Sequence, residues 1–209
     1  MPKALFLCSG TGSVGEPFRK GGWEVVDVDW SSKYNPEIQT DITTWDYKAA
    51  FEPGHFDVIW ASPDCRMYSM ARTTAKTKDF ESADKLVKAC REIIEYLKPR
   101  LYFIENPDTG YLKTRPVVEG LPYVRTDYCM HGCMYRKRTR VWTNCTEWKP
   151  KLCDKSHLVD GKHLATAQQG FGRDDRNDRH FTRDELHRLP KALCEDIFDM
   201  CNATPPRKS

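Results

Sequence analysis

The sequence predicts an α/β fold built on a mostly parallel sheet with helices on both faces. Short apolar runs alternate with helix-like stretches through the first half of the 209-residue chain, in the order ALFLC, SVGEPFRKGG, WEVVDVDW, FDVIWAS, FESADKLVKACREIIEYLKPR and LYFIEN. This alternation is typical of parallel strands joined by crossover helices. A chain of this length also suits one main domain with its own hydrophobic core.

The longest predicted helix begins at Ser82 and ends before Pro99. Its apolar residues recur at three- and four-residue spacing, so they share one face that we expect to pack on the sheet. These residues are Leu86, Val87, Cys90, Ile93, Ile94 and Leu97. Two strand-like segments follow this helix, YVRTDYCM and TRVWTN.

Composition divides the chain into four segments. Residues 1–145 form the predicted main domain, and residues 146–181 are so polar that we expect a loop or flexible flap there. Residues 182–201 are predicted as a helix returning to the core, because TRDE has capping-box spacing. Its apolar side contains Leu193, Ile197 and Met200. Residues 202–209 form a tail that we expect to be frayed.

Net charge, hydrophobicity and cysteine content restrict the class of protein without selecting one function. Lys and Arg total 33 against 30 Asp and Glu, so the net charge of +3 permits an anionic partner without requiring one. No stretch reaches the roughly eighteen apolar residues of a membrane span, and MPKALFLCSG does not match a signal peptide. We therefore expect an intracellular protein, cytoplasmic or in a host nucleus, with no membrane partner and a monomeric state. Nine scattered cysteines, an odd number, fit reduced thiols.

A glycine-rich turn, CSGTGSVG, follows the first strand and formally matches G-x-G-x-x-G. Its glycines, which let backbone amides approach a ligand closely, are Gly10, Gly12 and Gly15. The second strand ends in Asp29, whose carboxylate can accept both hydroxyls of a ribose, and Trp30 offers a flat face for an adenine. Asp41 lies after the next strand, as a further acid of this pocket or as the cap of a turn. These positions predict an adenosine pocket at the carboxyl edge of the sheet.

A cysteine and an acid follow the next two strands. Cys65 stands just after FDVIWAS, and Glu105 ends the strand LYFIEN. Because parallel strands end at one edge, a nucleophile and a proton donor would meet beside the glycine turn. A buried structural cysteine and a turn-capping acid are the alternatives. The run YRKRTRVW adds cations that hold a carbonyl or phosphate, or form a solvated face: Arg136, Lys137, Arg138 and Arg140.

Four motifs, in this order and at these intervals, resemble the DNA (cytosine-5)-methyltransferases, especially the short forms of phages and other viruses: LFLCSGTGSVG, DVIWASPDCRMYS, FIENP and RKRTRVW. The resemblance covers about residues 4–145 and resumes near residues 189–197. It implies a Rossmann-like S-adenosylmethionine-dependent methyltransferase fold, with DNA as the partner or a free or single-stranded nucleotide as the substrate. The implied reaction methylates carbon 5 of a flipped-out cytosine through a covalent cysteine adduct.

The resemblance also implies roles for individual residues. The catalytic residues are Cys65 as nucleophile, Glu105 as the acid, and the arginine pair Arg138 and Arg140. The S-adenosylmethionine-binding positions are Cys8, Ser9, Gly10, Thr11, Gly12, Asp29, Trp30, Asp41, Ile42 and Pro63. The substrate-binding positions are Arg66, Ser69, Asn106 and Arg136.

The sequence departs from the family pattern at several of these positions. Asp64 stands where viral forms have a second proline, and Arg66 stands where a polar, uncharged residue is common. The carboxylate should raise the pKa of the Cys65 thiol and the guanidinium should lower it. Cys8 replaces a phenylalanine that stacks on the cofactor, and Arg136 replaces a glutamine.

By this resemblance, residues 1–145 are the methyltransferase catalytic core, and residues 146–181 are a reduced recognition region in the place where longer family members insert a large target-recognition domain. Sequence selectivity is therefore expected to be short, lax or supplied by a partner. Cys129, Cys145, Cys153 and His157 lack a tight Cys-x-x-Cys pair, so free thiols and solvated histidines are expected rather than a metal site.

Three other functions remain open. DVIWASPDC faintly matches the Pro-Pro-Tyr loop of exocyclic-amine DNA methyltransferases, a class that needs neither Cys65 nor Glu105. A dinucleotide-binding oxidoreductase would rest on the glycine turn, but the chain leaves little room for a substrate domain. A catalytically impaired DNA-binding protein would keep the fold, with Asp64 and Cys8 as its support.

Overall fold

A seven-stranded sheet forms the centre of the protein. The computed structural model describes residues 1–70, 78–145, 147–167, 170–171 and 181–204. The strands are β1 (Lys3–Leu7), β2 (Glu24–Asp29), β3 (Ile38–Gln39), β4 (Val58–Ala61), β5 (Leu101–Pro107), β6 (Tyr123–Asp127) and β7 (Arg138–Thr143). Their order in the sheet is β3-β2-β1-β4-β5-β7-β6. Parts of the predicted flap (146, 168–169 and 172–180) and most of the tail (205–209) lie outside the described residues.

Helices and a short hairpin complete the described part of the chain. The α-helices are α1 (Gly15–Lys20), α2 (Tyr47–Ala50), α3 (Phe80–Leu97), α4 (Arg183–His187) and α5 (Lys191–Ala203). The hairpin pairs β8 (Ala165–Thr166) with β9 (Gly170–Phe171). No helix among these residues is long and apolar enough to cross a membrane.

The sheet is parallel from β3 to β5 and antiparallel beyond it. β1 pairs in parallel with β2 and β4, and β4 pairs in parallel with β5. β7 then runs antiparallel to β5, and β6 runs antiparallel to β7. The apolar runs ALFL and VIWA lie in strands covered on both faces, which explains why all their residues are buried. The prediction of a mostly parallel sheet is confirmed.

Helices cover both faces of this sheet. On one face, α3 packs through the apolar side predicted from its spacing, including Val87, Cys90 and Ile93. On the other face, α5 packs through Leu193 and Ile197 in a cluster that also contains residues of α1. α3 begins two residues before the predicted start, because the Asp79 carboxylate accepts a hydrogen bond from the Ser82 amide at 2.9 Å.

The last predicted helix is divided into two. The capping box is present: the Thr182 hydroxyl accepts from the Glu185 amide at 3.2 Å, and the Glu185 carboxylate accepts from the Thr182 amide at 2.8 Å. α4 ends at His187 because Pro190 disfavours helical backbone in the residue before it. α5 then starts directly after Pro190 and returns the chain to the sheet.

The packing of α3 predicts that substitutions on its buried side lower stability far more than substitutions on its exposed side. Ile93 is 0 % exposed, so Ile93→Ala should lower the free energy of unfolding by about 2–5 kcal/mol. Lys88, on the exposed side of the same helix, is the matched control, and Lys88→Ala should change it by less than about 0.5 kcal/mol. Urea midpoints of both variants measure the difference. Equal midpoints would contradict this packing.

Candidate active site

Loops at the carboxyl ends of the strands enclose a cleft of about 730 Å³. One side is formed by the glycine turn after β1 and the residues that follow β2 and β3. The other side is formed by the turn after β4, the end of β5 and residues of α4. The cleft therefore joins the predicted adenosine pocket and the predicted nucleophile at one edge of the sheet, where open α/β sheets bind ligands.

The glycine turn is held in shape by Asp29. Its Oδ2 accepts a hydrogen bond from the Gly10 amide at 2.9 Å, and its Oδ1 accepts one from the Ser31 amide at 2.9 Å. Gly10 and Gly12 have φ angles of 51° and 68°, a region that favours glycine. Each carboxylate oxygen of Asp29 has a second lone pair, so this side chain can still accept hydroxyl groups of a ligand.

The other predicted cofactor positions line the same cleft. Trp30 is 71 % exposed at its rim, while Ile42 is buried in its wall. The Asp41 carboxylate accepts from the amide and hydroxyl of Thr43 at 2.9 and 2.8 Å, so it caps a turn as well as lining the cleft. Cys8 also lines it with a φ of 52°. The remaining predicted cofactor positions also line the cleft: Ser9, Thr11 and Pro63.

The turn after β4 holds Cys65 at the base of the cleft. The buried Asn106 side chain donates a hydrogen bond to the Pro63 carbonyl at 2.9 Å, which ties this turn to β5. The Tyr68 amide donates to the Cys65 carbonyl at 3.1 Å, and the fully buried Tyr68 ring anchors the far end of the turn. The position of the thiol is thus set by a strand end and two hydrogen bonds.

Glu105 faces the cleft from β5 and is only 6 % exposed. Its Oε1 is buried and has no hydrogen-bond partner among the described residues. Burial raises the pKa of the Glu105 carboxyl above its usual value, and Lys137 and the Ser62 hydroxyl oppose that rise. A carboxyl with a raised pKa and an unpaired oxygen is suited to donate a proton to a ligand.

Lys137, which the sequence offered only as one of the cations of YRKRTRVW, is a residue of this site. It lines the cleft, and its Nζ donates a hydrogen bond to the Leu186 carbonyl of α4 at 2.9 Å. Strand register is the signal that could have found it. Glu105 pairs with Val141, and side chains two and four residues from Val141 point to the same face as Glu105.

Arg138 and Arg140 lie on the other face of β7 and are absent from the described residues that line the cleft. The Arg138 guanidinium donates to both oxygens of Asp127, at 3.0 Å from Nε to Oδ1 and 2.7 Å from Nη2 to Oδ2. Arg140 pairs with Asp108 at 2.7 Å. This structure therefore does not bring the predicted catalytic pair into the part of the cleft that Cys65 lines.

Two of the predicted substrate positions also lie outside the cleft, and two lie within it. Arg136 contacts the Asp127 carboxylate at 3.2 Å rather than the cleft, and Ser69 is not part of its lining. Arg66 and Asn106 do line it.

The charges around Cys65 differ from those that the sequence suggests. Burial raises the pKa of the Cys65 thiol, Lys137 opposes this rise, and Glu105 and Asp64 add to it. Arg66 is bound to Asp64, with 2.6 Å between its Nε and Oδ2. Although burial favours the neutral acid, these bonds lower the pKa of Asp64 below its usual value. Asp64 thus acts on Cys65 in the expected direction, but the cation that opposes it is Lys137.

These features define a class of protein. The sheet order, the glycine turn with its acid after β2, and the cleft at the carboxyl edge are those of a Rossmann-like methyltransferase.

Comparison with known proteins identifies the family. No family model matches the sequence. The probable DNA (cytosine-5)-methyltransferase of Frog virus 3 (isolate Goorha) is 35 % identical over 224 aligned positions, which cover 95 % of this chain and 100 % of that protein. The chain belongs to the DNA (cytosine-5)-methyltransferase family.

One solved structure supports the fold, and a second is similar to part of the chain. The methyltransferase EhMeth of Entamoeba histolytica matches 73 % of this chain and 56 % of its own, with 17 % identity and a TM-score of 0.53. A putative DNA modification methyltransferase from an E. coli prophage matches 68 % of this chain and 46 % of its own, with 15 % identity and a TM-score of 0.48. The chain thus spans about half the length of these two proteins. At 17 % identity, the likeness to EhMeth concerns the fold alone.

The position of Lys137 predicts a change in the titration of Cys65. Its positive charge favours the thiolate, so Lys137→Met should raise the pKa of Cys65 and move the pH midpoint of its alkylation by iodoacetamide upward. Mass spectrometry of the Cys65 peptide measures the rate at each pH. Lys88→Met, which removes an exposed lysine of α3, should leave the midpoint unchanged. An unchanged midpoint in Lys137→Met would contradict the assignment.

Proposed function

We propose that this protein transfers a methyl group from S-adenosylmethionine to carbon 5 of cytosine in DNA, through a covalent adduct of Cys65 on a flipped-out base. One observation carries the proposal: Cys65, Glu105 and Lys137 line the same cleft as the glycine turn. A thiol, a proton donor and a cation are the groups that addition to a cytosine ring requires. The 35 % identity to the Frog virus 3 protein supports DNA cytosine as the substrate.

The cofactor half of the cleft fits S-adenosylmethionine. Asp29 is buried and accepts a hydrogen bond from the Gly10 amide. Because glycine has no side chain, a ligand can approach the backbone of this turn closely. Asp29 would accept the ribose hydroxyls, Trp30 would cover the adenine, and Asp41 and Ile42 would line the adenine edge. The cofactor supplies an electrophilic methyl group on a sulfonium. A large cleft with a few convergent polar groups is typical of such sites.

Cys65 begins the proposed reaction. Carbon 5 of cytosine is a poor nucleophile, but when the Cys65 thiolate bonds to carbon 6, the ring electron pair moves to carbon 5. Carbon 5 would then accept the methyl group that S-adenosylmethionine supplies, with S-adenosylhomocysteine as the leaving product. A base removes the proton from carbon 5, the bond from carbon 6 to sulfur breaks, and the thiolate is regenerated. Because carbon 6 is covered inside a duplex, the base must first leave the stack.

Glu105 and Lys137 would stabilise the ring while it gains charge. The raised pKa of Glu105 supports proton donation to nitrogen 3, and its unpaired Oε1 is available for that contact. Lys137 supports the thiolate form of Cys65 by lowering its pKa, and it can hold the base carbonyl. Lys137 thus takes one of the roles expected for the cations of YRKRTRVW, contact with a carbonyl of the base.

The segment between β7 and α4 would contact DNA beside the cleft. Support comes from four exposed lysines in its described part, Lys149, Lys151, Lys155 and Lys162. Lysines at such positions bind phosphates without reading bases, so the expected sequence selectivity is low.

Loss of the thiol should abolish methylation. Cys65→Ala should form no 5-methylcytosine in mixed-sequence DNA and no covalent complex with DNA that contains 5-fluorocytosine. Glu105→Gln should slow methylation by about 100- to 1,000-fold, because it removes the proton donor but preserves shape. Cys133→Ser is the matched control and should keep the parent rate. Base analysis by mass spectrometry measures all four proteins.

Other outcomes of this assay separate the alternatives. Methylation by Cys65→Ala at the parent rate would contradict the covalent mechanism. Methyl groups on exocyclic amines would support the other class of DNA methyltransferase. DNA binding by the parent without any methylation would support an impaired, DNA-binding member of the family.

Cofactor binding should depend on Asp29 and not on Cys65. Asp29→Ala removes the acceptor of the ribose hydroxyls and should weaken S-adenosylmethionine binding by about 10- to 100-fold. Cys65→Ala should bind with the parent affinity. Calorimetric titration measures both affinities, and far-UV circular dichroism checks that Asp29→Ala is folded. Equal affinities of parent and Asp29→Ala would contradict the cofactor assignment.

A further inference from the structure

Four side chains with metal-ligating atoms meet away from the cleft. Cys129, Cys153, His157 and His163 each offer one donor atom, and these four atoms all lie within 4.8 Å of one another. We propose that these residues bind one Zn²⁺ in a closed, tetrahedral Cys₂His₂ site that fixes the loop after β7 on the catalytic domain. This site is independent of the methyl-transfer chemistry proposed above.

The separations between donor atoms match a tetrahedral zinc site. Zinc–sulfur bonds of about 2.3 Å and zinc–nitrogen bonds of about 2.0–2.1 Å place sulfur and nitrogen about 3.6 Å apart at the tetrahedral angle. Cys153 Sγ and His163 Nε2 are 3.6 Å apart. The rings of His157 and His163 lie side by side, with 5.2 Å between their centroids. His157 is exposed, so its side chain can close the remaining distance without displacing packed neighbours.

The backbone brings the four donors together from three points of the chain. Cys129 lies in the 3₁₀ turn Tyr128–His131, directly after β6. The Cys153 amide donates a hydrogen bond to Asp127 at the end of β6, at 2.9 Å, which sets the second donor beside the first. A tight turn closed by hydrogen bonds between Val159 and Lys162 then returns the chain, so that the two histidines face each other.

The loop that carries three of these donors has little apolar core of its own. Three apolar side chains between residues 152 and 164 are substantially exposed: Leu152 is 43 %, Val159 55 % and Leu164 56 % exposed. Lys155 and Asp160 also have φ angles of 68° and 49°, a costly region for residues other than glycine. A segment that buries so little surface needs another source of order, and zinc coordination supplies it in small modules.

The chemistry of the donor set selects zinc. Two thiolates and two neutral imidazoles are the ligands of structural zinc sites, and four protein ligands leave no open position for a substrate. Cys145, which the sequence grouped with these residues, is not part of the set. It is buried, with its Sγ 3.1 Å from Met200 Sδ of α5, and His163 supplies the fourth donor instead.

Metal analysis of the 209-residue chain tests the site. Protein expressed in zinc-supplemented medium and purified without chelator should contain about one zinc per chain by plasma mass spectrometry. Cys153→Ser and His163→Asn should lose most of this zinc. Cys133→Ser, a half-buried cysteine outside the cluster, is the matched control and should retain it. X-ray absorption should show two sulfur ligands at about 2.3 Å and two nitrogen ligands at about 2.0–2.1 Å.

A second variant keeps the test valid if the first two fail to fold. Because His157 is exposed, His157→Gln should change stability little when no metal is present. In zinc-loaded protein the substitution should lower the melting temperature. After removal of zinc by EDTA, the variant and the parent protein should have the same melting temperature. Zinc-free parent protein, four sulfur ligands, equal zinc loss in Cys133→Ser, or a disulfide between Cys129 and Cys153 would each overturn the proposal.

Discussion

The strict alternation of side chains along β5 and its neighbour β7 is the constraint on which the site depends. Glu105 and Asn106 both line the cleft where β5 ends, but Glu105 points to one face and Asn106 to the other, where its side chain donates a hydrogen bond to the Pro63 carbonyl. One dipeptide therefore supplies an acid to the cleft and holds the turn that carries Cys65. The same alternation at the start of β7 separates Arg138, its first residue, from Lys137, the residue before it.

Burial and one nearby cation together set the chemistry of the cleft. Burial raises the pKa of both Cys65 and Glu105, and Lys137 opposes both shifts. A raised pKa suits the acid, which has to carry a proton, but it disfavours the thiolate. Lys137 limits that cost for Cys65 while Glu105 stays largely desolvated. Asp64 and Arg66 neutralise each other at the rim, so the unusual Pro-Asp-Cys-Arg turn adds little net charge.

Asp127 connects the loop that carries the proposed zinc ligand Cys153 to the sheet. It is 0 % exposed and accepts hydrogen bonds from Arg138, from Arg136 and from the Cys153 amide. A buried carboxylate with this many charged and backbone donors is stable as an anion, and the pKa of Asp127 is lowered despite its burial. Arg138 of the family motif, together with Arg136, thereby helps to anchor the loop that carries Cys153 through Asp127.

The sequence by itself determined the parallel sheet, the amphipathic α3, the glycine turn with Asp29, and the positions of Cys65 and Glu105 at one edge. These follow from local periodicity and from the rule that parallel strands end on one side. Only the tertiary structure decided that Lys137 is the cation of the run YRKRTRVW that lines the cleft. It also decided that His163 lies in the same cluster of metal-ligating side chains as Cys129. Strand register assigns Lys137 to the face of Glu105, and loop geometry joins donors far apart in the chain, and neither can be read from local spacing.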